Sequence, residues 1–369
     1  MNGKTTSAAA GARNLLLNCL GASPGQSVLV IGESGDKAHY DPALCDVVTQ
    51  EARILGMQAE SVIAPVTNTA ADVPDDLRDK IAGTDHTVFF ARMADQLRFL
   101  GVEGSRSMVS CYTLTPDVLA DLFTSTDHRL LLAVHDRLVE HIEASAHYRI
   151  TCPDGSDLHG EVSFTEGTEA LTDFMVRPFP VMIFPPVDSS RMSGRLPIVY
   201  PLTSSSTNIY EDSVLTPHSP VVAIVDNGVI VRFEGDADEV LRIEAHFAVV
   251  GRYVNGNPLA VNSWHTGINP LSYFEGDADA DVERWSNAVF GSPRFTHFHA
   301  CGSEPGDIAI SLFDATISFD GVDLWRDGRL VFLEAPQNRD LLDCFPDPGA
   351  VIAMRREIGM PHHVGLARG

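Results

Sequence analysis

The chain has 369 residues, of which 44% are hydrophobic and 21% are charged. This composition is ordinary for a globular protein and argues against a disordered, collagenous or coiled-coil chain. At roughly 100–200 residues per domain, the length indicates about two domains. The chain has 26 basic and 50 acidic residues and a net charge of −24, which disfavours nucleic acid and anionic membrane surfaces as partners.

The cysteines and the N-terminus predict a cytoplasmic location. The six cysteines contain no CxxC pair and are too sparse for a disulfide scaffold, so we expect reduced thiols. The only apolar stretch near the N-terminus, Leu15 to Leu17, is too short for a signal peptide and indicates an amphipathic first helix. No apolar run approaches the ~18 residues needed to span a bilayer, so we expect no membrane association.

The N-terminal half alternates predicted strands and helices. The predicted strands cover 27–31, 60–64, 87–91 and 109–114, and the predicted helices cover 41–55, 75–81, 115–123 and 127–145. Thr115-Pro116 is a strong helix start, because threonine is a good N-cap residue and proline suits the first turn. This alternation is typical of a mostly parallel, doubly wound α/β sheet.

The second half has a different pattern, with alternating runs on either side of turn residues. These runs predict antiparallel hairpins over 147–164, over 220–235 and over 324–332, the last around Asp327-Gly328. Helices are still expected over 239–249, 281–290 and 338–345. We therefore predict an α/β N-terminal domain over 1–146 and a larger mixed α+β domain, which would carry the catalytic site, over 147–369.

Well-marked cofactor and catalytic motifs are missing from the sequence. The turn after the first predicted strand, Gly32 to Asp36, has neither the GxGxxG nor the GxxxxGK[ST] pattern, so dinucleotide and phosphate-loop binding have no support. The chain also has no GxSxG and no HExxH motif, which removes the best-marked serine hydrolases and zincins.

The densest concentration of chemically useful side chains lies between residues 262 and 321. His297 and His299 are two residues apart on a predicted strand and therefore point to the same side. Histidine is a common metal ligand and proton shuttle, so His265 as a third donor, with Asp307 or Glu304 as a carboxylate, would complete a site. The simpler interpretation is a half-exposed histidine pair.

The remaining histidines suggest less. His128, His135 and His141 are spaced as a surface or interface stripe on one helix, and the tail pair His362-His363 is expected in solvent.

Several segments in the same order along the chain carry a family resemblance. They are 25–30, 149–158, 227–230 with Gly235, 267–270, 299–303 and 316–321. In these segments the chain resembles the aminopeptidase T-type metallopeptidase superfamily, which also contains the iron(II) ring-cleaving 2,5-dihydroxypyridine 5,6-dioxygenases. The resemblance implies an α/β domain, then a larger mixed domain that carries the metal, in a homodimer or higher homo-oligomer acting on a small molecule.

The chain departs from this family at the metal ligands. Peptidase members have a glutamate where this chain has Ser263, whereas His265 is closer to the dioxygenase branch. The family's H-x-D pair corresponds to Asp307 and Ala309, so one expected ligand is lost. An alanine offers no ligand atom, and a cation with too few ligands binds weakly.

Three outcomes remain open. In the first, Fe(II) is held by His265, by His297 or His299, and by Asp307, in a dioxygenase-like enzyme that acts on a small heteroaromatic or amino-acid-derived substrate. In the second, His265 and Asp307 perform metal-free acid-base catalysis. In the third, the chain is a binding protein without catalysis.

The alternative metalloenzyme is an aminopeptidase-like hydrolase with Zn, Co or Mn. It would need further carboxylates, for which Glu211 and Asp212, together with Tyr273, are the available candidates.

Overall fold

The computed structural model describes residues 6–98, 100–163, 175–204, 210–254, 256–302, 308–353 and 356–365. It confirms the predicted mixed α/β class, with one parallel sheet followed by two antiparallel sheets. The chain forms two compact units, the first made of described residues within 1–133 and 171–182, and the second of those within 134–170, 183–205 and 210–369. The domain boundary at residue 146 stays a prediction.

The strands are numbered in chain order. They are β1 Ser27–Ser34, β2 Gln58–Pro65, β3 His86–Phe90, β4 Ser107–Cys111, β5 His147–Thr151, β6 Asp157–Glu161, β7 Val176–Phe179, β8 Val187–Asp188, β9 Ser193–Ile198, β10 Thr203–Ser204, β11 Val221–Asp226, β12 Val229–Gly235, β13 Val261–Thr266, β14 Phe295–Ala300, β15 Ile308–Phe313, β16 Thr316–Phe319 and β17 Val322–Trp325.

The α-helices of the described residues are numbered in the same way. They are α1 Ala8–Arg13, α2 Ala43–Ile54, α3 Asp75–Ala82, α4 Met93–Leu97, α5 Pro116–Leu119, α6 Leu122–Ser125, α7 His128–Glu143, α8 Ala237–Tyr253, α9 Val282–Val289, α10 Arg339–Asp343 and α11 Pro348–Ala353. None of them is long and apolar enough to cross a membrane.

The first unit is built on a parallel sheet in the order β2-β1-β3-β4-β7. Strand β1 is buried from Val28 to Glu33, as expected for a strand covered on both faces. Gly32 allows side chains of α2 and β2 to pack closely against β1, since a Cβ at this position would lie 2.6 Å from Cys45 Sγ and 2.7 Å from Ile63 Cδ1. The chain leaves β1 for β2 on one side and later places β3 on the other side.

Two predicted helices of this unit differ in detail. The predicted helix over 115–123 is two short helices, because Asp121 caps a second start by accepting a hydrogen bond from the backbone N–H of Phe123 at 2.7 Å. Thr115 caps the first helix as expected. The N-terminal helix α1 continues as a π-helix over Asn14–Cys19.

The larger antiparallel sheet of the second unit has the order β12-β11-β9-β6-β5-β16-β17. The predicted hairpins β5-β6 and β11-β12 are present. The predicted hairpin around Asp327-Gly328 is wrong: the turn exists, with an isolated bridge between Arg326 and Arg329, but the chain then forms a 3₁₀ helix over Val331–Glu334. Strand β17 pairs instead with the preceding strand β16.

The smaller antiparallel sheet has the order β10-β15-β14-β13-β8 and positions the candidate site. One face carries the apolar row Val187, Trp264, Phe298 and Ile310. Trp264 packs on Tyr148 of β5, with ring centroids 5.0 Å apart, so this face packs against the larger sheet. The opposite face carries the histidines.

The predicted surface or interface stripe on α7 is wrong for His128 and His135, which are buried within the chain. His141 is half-buried, with its ring 6.0 Å from the ring of Phe332. Burial lowers the pKa of His128 to about 4 and also lowers the pKa of His135. His128 and His135 therefore lie in the packed interior, where burial favours their neutral form.

The tail pair is exposed but has contacts. His363 Nε2 lies 2.8 Å from Asp154 Oδ1, and its ring stacks on Tyr200 with centroids 4.8 Å apart. The backbone N–H of His362 donates to Asp279 at 2.8 Å.

Candidate metal centre

The register of two neighbouring strands brings three imidazoles together. His265 of β13 is directly opposite His297 of β14, and His299 is two residues further along β14, opposite Ser263. Directly opposed residues of an antiparallel pair share a face, as do residues two apart on one strand. All three histidine side chains therefore lie on the face of the sheet opposite Trp264 and Phe298.

The three rings form a compact, buried cluster. His265 Nε2 lies 2.7 Å from His297 Nε2, and the His299 ring centroid is 5.0 Å from each of the other two. One ligand nitrogen from each ring lies within 4.8 Å of the others. The three residues are 4–8% exposed. The cluster is therefore not a half-exposed pair.

Two contacts orient the rings from behind. Ser263 Oγ lies 3.0 Å from His299 Nδ1, and His265 Nδ1 faces the carbonyl oxygen of Phe184 at 3.4 Å. A carbonyl can only accept a hydrogen bond, so the proton of a neutral His265 belongs on Nδ1 and its Nε2 carries a lone pair. This is the tautomer that a metal-binding Nε2 requires.

Small and aromatic residues surround the cluster on the same face. Ser311 and Ala309 of β15 lie opposite His297 and His299 respectively. The rings of Phe295 and Phe290 lie with their centroids 5.3 and 6.4 Å from that of His297. Ala309 thus occupies a position beside the imidazoles where a longer side chain would project over them.

The donor set fits a transition metal. Neutral imidazole is a preferred ligand of Fe, Zn, Cu and Ni, and metal–nitrogen bonds are about 2.0–2.1 Å long. Two nitrogens bound to one ion are then at most ~4.2 Å apart. The observed distance between the His265 and His297 nitrogens, 2.7 Å, lies below this value, and the upper limit for all three ligand nitrogens, 4.8 Å, lies slightly above it. Among the described residues, this is the group of His, Cys, Asp or Glu side chains that converges in this way.

The structure brings together His265, His297 and His299, and their metal-binding and catalytic roles remain predictions. Asp307, the expected carboxylate, and Glu304 lie outside the described residues. Glu211 and Asp212 are exposed and do not belong to the cluster.

The ring of Tyr273 lies under the guanidinium of Arg356 at 4.1 Å, and its role as a candidate stays a prediction.

Sequence reasoning missed the two orienting contacts. Ser263 precedes His265 by two residues and so shares its face, which is a readable signal once β13 is recognised as a strand. The carbonyl of Phe184 has no such signal, because it belongs to a segment distant in sequence.

Comparisons with known proteins support the architecture. No family model matches the chain, and no curated protein matches it in sequence. Among solved structures, the chain is similar to 2,5-dihydroxypyridine dioxygenase from Pseudomonas putida KT2440, with 15% identity and a TM-score of 0.55 over 90% of this chain and 98% of that one. At this identity the likeness establishes a shared fold.

Proposed function

We propose that the chain is a non-haem, Fe(II)-dependent dioxygenase-like enzyme whose metal is held by His265, His297 and His299. The observation that carries this proposal is the convergence of three buried imidazoles with ligand nitrogens within 4.8 Å of one another. The fold of the dihydroxypyridine dioxygenase supports it as an analogy. The substrate class we propose is a small heteroaromatic or amino-acid-derived molecule.

The protein's contribution would be ligation, orientation and exclusion of water. The Phe184 carbonyl and the Ser263 hydroxyl hold two of the rings in fixed orientations. Phe290 and Phe295 form apolar surroundings beside His297. A bound Fe(II) with open positions would supply the oxygen chemistry. Asp307 stays in the proposal as the sequence-based candidate for an anionic ligand.

A hydrolase is the second candidate, because three histidines are also a known ligand set for catalytic zinc. In that case the metal would lower the pKa of a bound water so that it attacks a carbonyl. The two-metal aminopeptidase form needs several bridging carboxylates, and the converging group in the described residues contains none. We therefore favour a single-metal site in either enzyme.

Metal titration tests the proposal directly. Tag-free protein, stripped of metal, is titrated with Fe(II) under anaerobic conditions and separately with Zn²⁺ and Co²⁺. One equivalent should bind, and His297→Ala should abolish stoichiometric binding. His246→Ala, at a half-buried histidine of α8 outside the cluster, is the matched control and should bind normally.

Two activity assays then separate the candidates. Oxygen uptake with dihydroxypyridine-type substrates supports the dioxygenase, whereas release of p-nitroaniline from aminoacyl anilides supports the hydrolase. Failure of the unaltered protein to bind any of the three metals would refute both and favour metal-free catalysis or a binding protein.

A further inference from the structure

The parallel sheet of the first unit has a switch point between β1 and β3. The chain turns to opposite sides of β1 to form β2 and β3, and both neighbours pair with β1 in parallel. In open α/β sheets, ligands bind at such a point, in the crevice outside the carboxyl ends of the strands. The residues at this switch point therefore indicate which kind of ligand the unit could bind.

A carboxylate of the chain itself lies at this point. Glu33 is at the carboxyl end of β1 and is 2% exposed. Its Oε1 accepts a hydrogen bond from the backbone N–H of His39 at 2.5 Å, and its Oε2 accepts one from the backbone N–H of Arg92, just beyond β3, at 2.8 Å. The Arg92 guanidinium lies 4.0 Å from the same carboxylate.

This arrangement is that of a bound anion. Both carboxylate oxygens receive main-chain donors from two different loops, and a buried guanidinium supplies the positive charge. Main-chain N–H groups combined with an arginine form the usual protein environment for carboxylates and phosphates. Burial raises the pKa of Glu33, and the two N–H groups oppose this by stabilising the ionised form.

The neighbouring charges are already engaged with one another. Asp95 Oδ1 pairs with Arg98 and accepts a hydrogen bond from the hydroxyl of Tyr112, and Arg98 also donates to the Tyr112 oxygen at 2.8 Å. Asp95 and Tyr112 follow the carboxyl ends of β3 and β4, so this second group lies along the same edge. The Arg92 guanidinium faces Glu33 and also donates a hydrogen bond to the carbonyl oxygen of Lys37.

We propose that the switch point is an anion-binding site that the Glu33 carboxylate fills from within the chain, and that a small carboxylate can take its place when this side chain is shortened. In the first unit, a side chain of the protein itself thus occupies the position where this type of sheet binds a ligand. A phosphate or carboxylate of an external cofactor is excluded from it, in keeping with the lack of a GxGxxG motif after β1.

Chemical rescue tests this inference on the full-length chain. Glu33→Ala removes the internal carboxylate and leaves the donors of His39 and Arg92, whereas Glu33→Gln keeps the shape without the charge. Thermal unfolding is followed in sodium formate and sodium acetate, with sodium chloride at equal ionic strength as the reference.

Formate should stabilise Glu33→Ala in a saturable way. Above the formate dissociation constant, each tenfold increase in concentration should raise the melting temperature by roughly 3–5 °C when the first unit unfolds separately and by about 2 °C when the whole chain unfolds in one transition. The native chain and Glu33→Gln should show no difference between formate and chloride. Adding Arg92→Ala to Glu33→Ala should weaken the response, because this change removes the guanidinium charge and keeps both main-chain donors.

Two results would overturn the inference. One is a folded Glu33→Ala protein that melts identically in formate, acetate and chloride. The other is a variant that stays insoluble when refolded in formate as well as in chloride, since the added carboxylate should then have replaced the missing one. Solubility restored by formate alone supports the site.

Discussion

The hydroxyl of Ser263 should control the metal affinity of the histidine cluster. It lies 3.0 Å from His299 Nδ1 and is 3% exposed, so solvent competes little for this contact. Loss of a hydrogen bond behind a ligating histidine commonly lowers metal affinity 10–100-fold, which corresponds to about 1.4–2.7 kcal/mol. We expect a loss of this size in Ser263→Ala.

The assay is competition for Zn²⁺ or Co²⁺ between the metal-free protein and a chromophoric chelator. Ser263→Thr keeps the hydroxyl and should retain most of the affinity, while Ser110→Ala removes an equally buried hydroxyl in the first unit and should leave the affinity unchanged. In the Co²⁺ protein, Ser263→Ala should also shift the visible absorption bands, because the orientation of one ligand changes.

Unaltered affinity and spectrum in Ser263→Ala would refute the role of the hydroxyl, provided that the native chain binds the metal. Failure of the native chain to bind would instead count against the metal centre itself. The two ideas therefore fail in different ways.

Three further predictions concern stability. Burial lowers the pKa of His128 to about 4, against 6.5 for a free histidine, so below pH 6.5 the unfolded chain binds a proton that the native chain does not. The free energy of unfolding should therefore be constant above pH 6.5 and fall by about 3 kcal/mol as the pH drops to 4, and the fall should be smaller in His128→Asn. Urea unfolding at several pH values measures this, and equal slopes in both proteins would contradict it. Gly32→Ala should cost about 1–3 kcal/mol, because the new methyl group would lie 2.6 Å from Cys45 Sγ; an unchanged denaturation midpoint would show that α2 can move. In the metal-free protein, His297→Leu alone should lower the free energy of unfolding by about 1–3 kcal/mol, because it breaks the 2.7 Å hydrogen bond to His265. The double change His265→Phe with His297→Leu removes both partners and should be nearly neutral. A double variant as unstable as the sum of the two single variants would argue against this.

Local patterns in the sequence predict most of the first unit and part of the site. Continuous apolar runs predict β1 and β3, and the two-residue period of a strand predicts that His297 and His299 share one face. These features depend on neighbours close in sequence. The approach of His265 depends on the register between β13 and β14, which no local pattern specifies.

The errors have physical causes of the same kind. Asp327-Gly328 does form a turn, with both residues at positive φ, but a turn motif does not say whether the next residues pair as a strand. Phe332 and Leu333 are buried as part of a 3₁₀ helix, so their apolar character suited either structure. The spacing of His128 and His135 does not predict their burial, because a neutral imidazole packs inside a protein as readily as a charged one lies outside.

The carboxylate site of the first unit and the histidine cluster of the second differ in how easily their groups can change partners. At the edge of the parallel sheet, Glu33 faces Arg92, and Asp95 faces Arg98. Separating such buried charges leaves uncompensated ions, which is strongly unfavourable. The imidazoles of the antiparallel sheet are held by hydrogen bonds to one another, to a hydroxyl and to a carbonyl, each with a net value of only about 1 kcal/mol. An incoming cation can replace the bond between the imidazoles and gain three ligands. This difference is the physical reason to expect chemistry at the histidine cluster rather than at the sheet edge where the fold class usually binds its ligands.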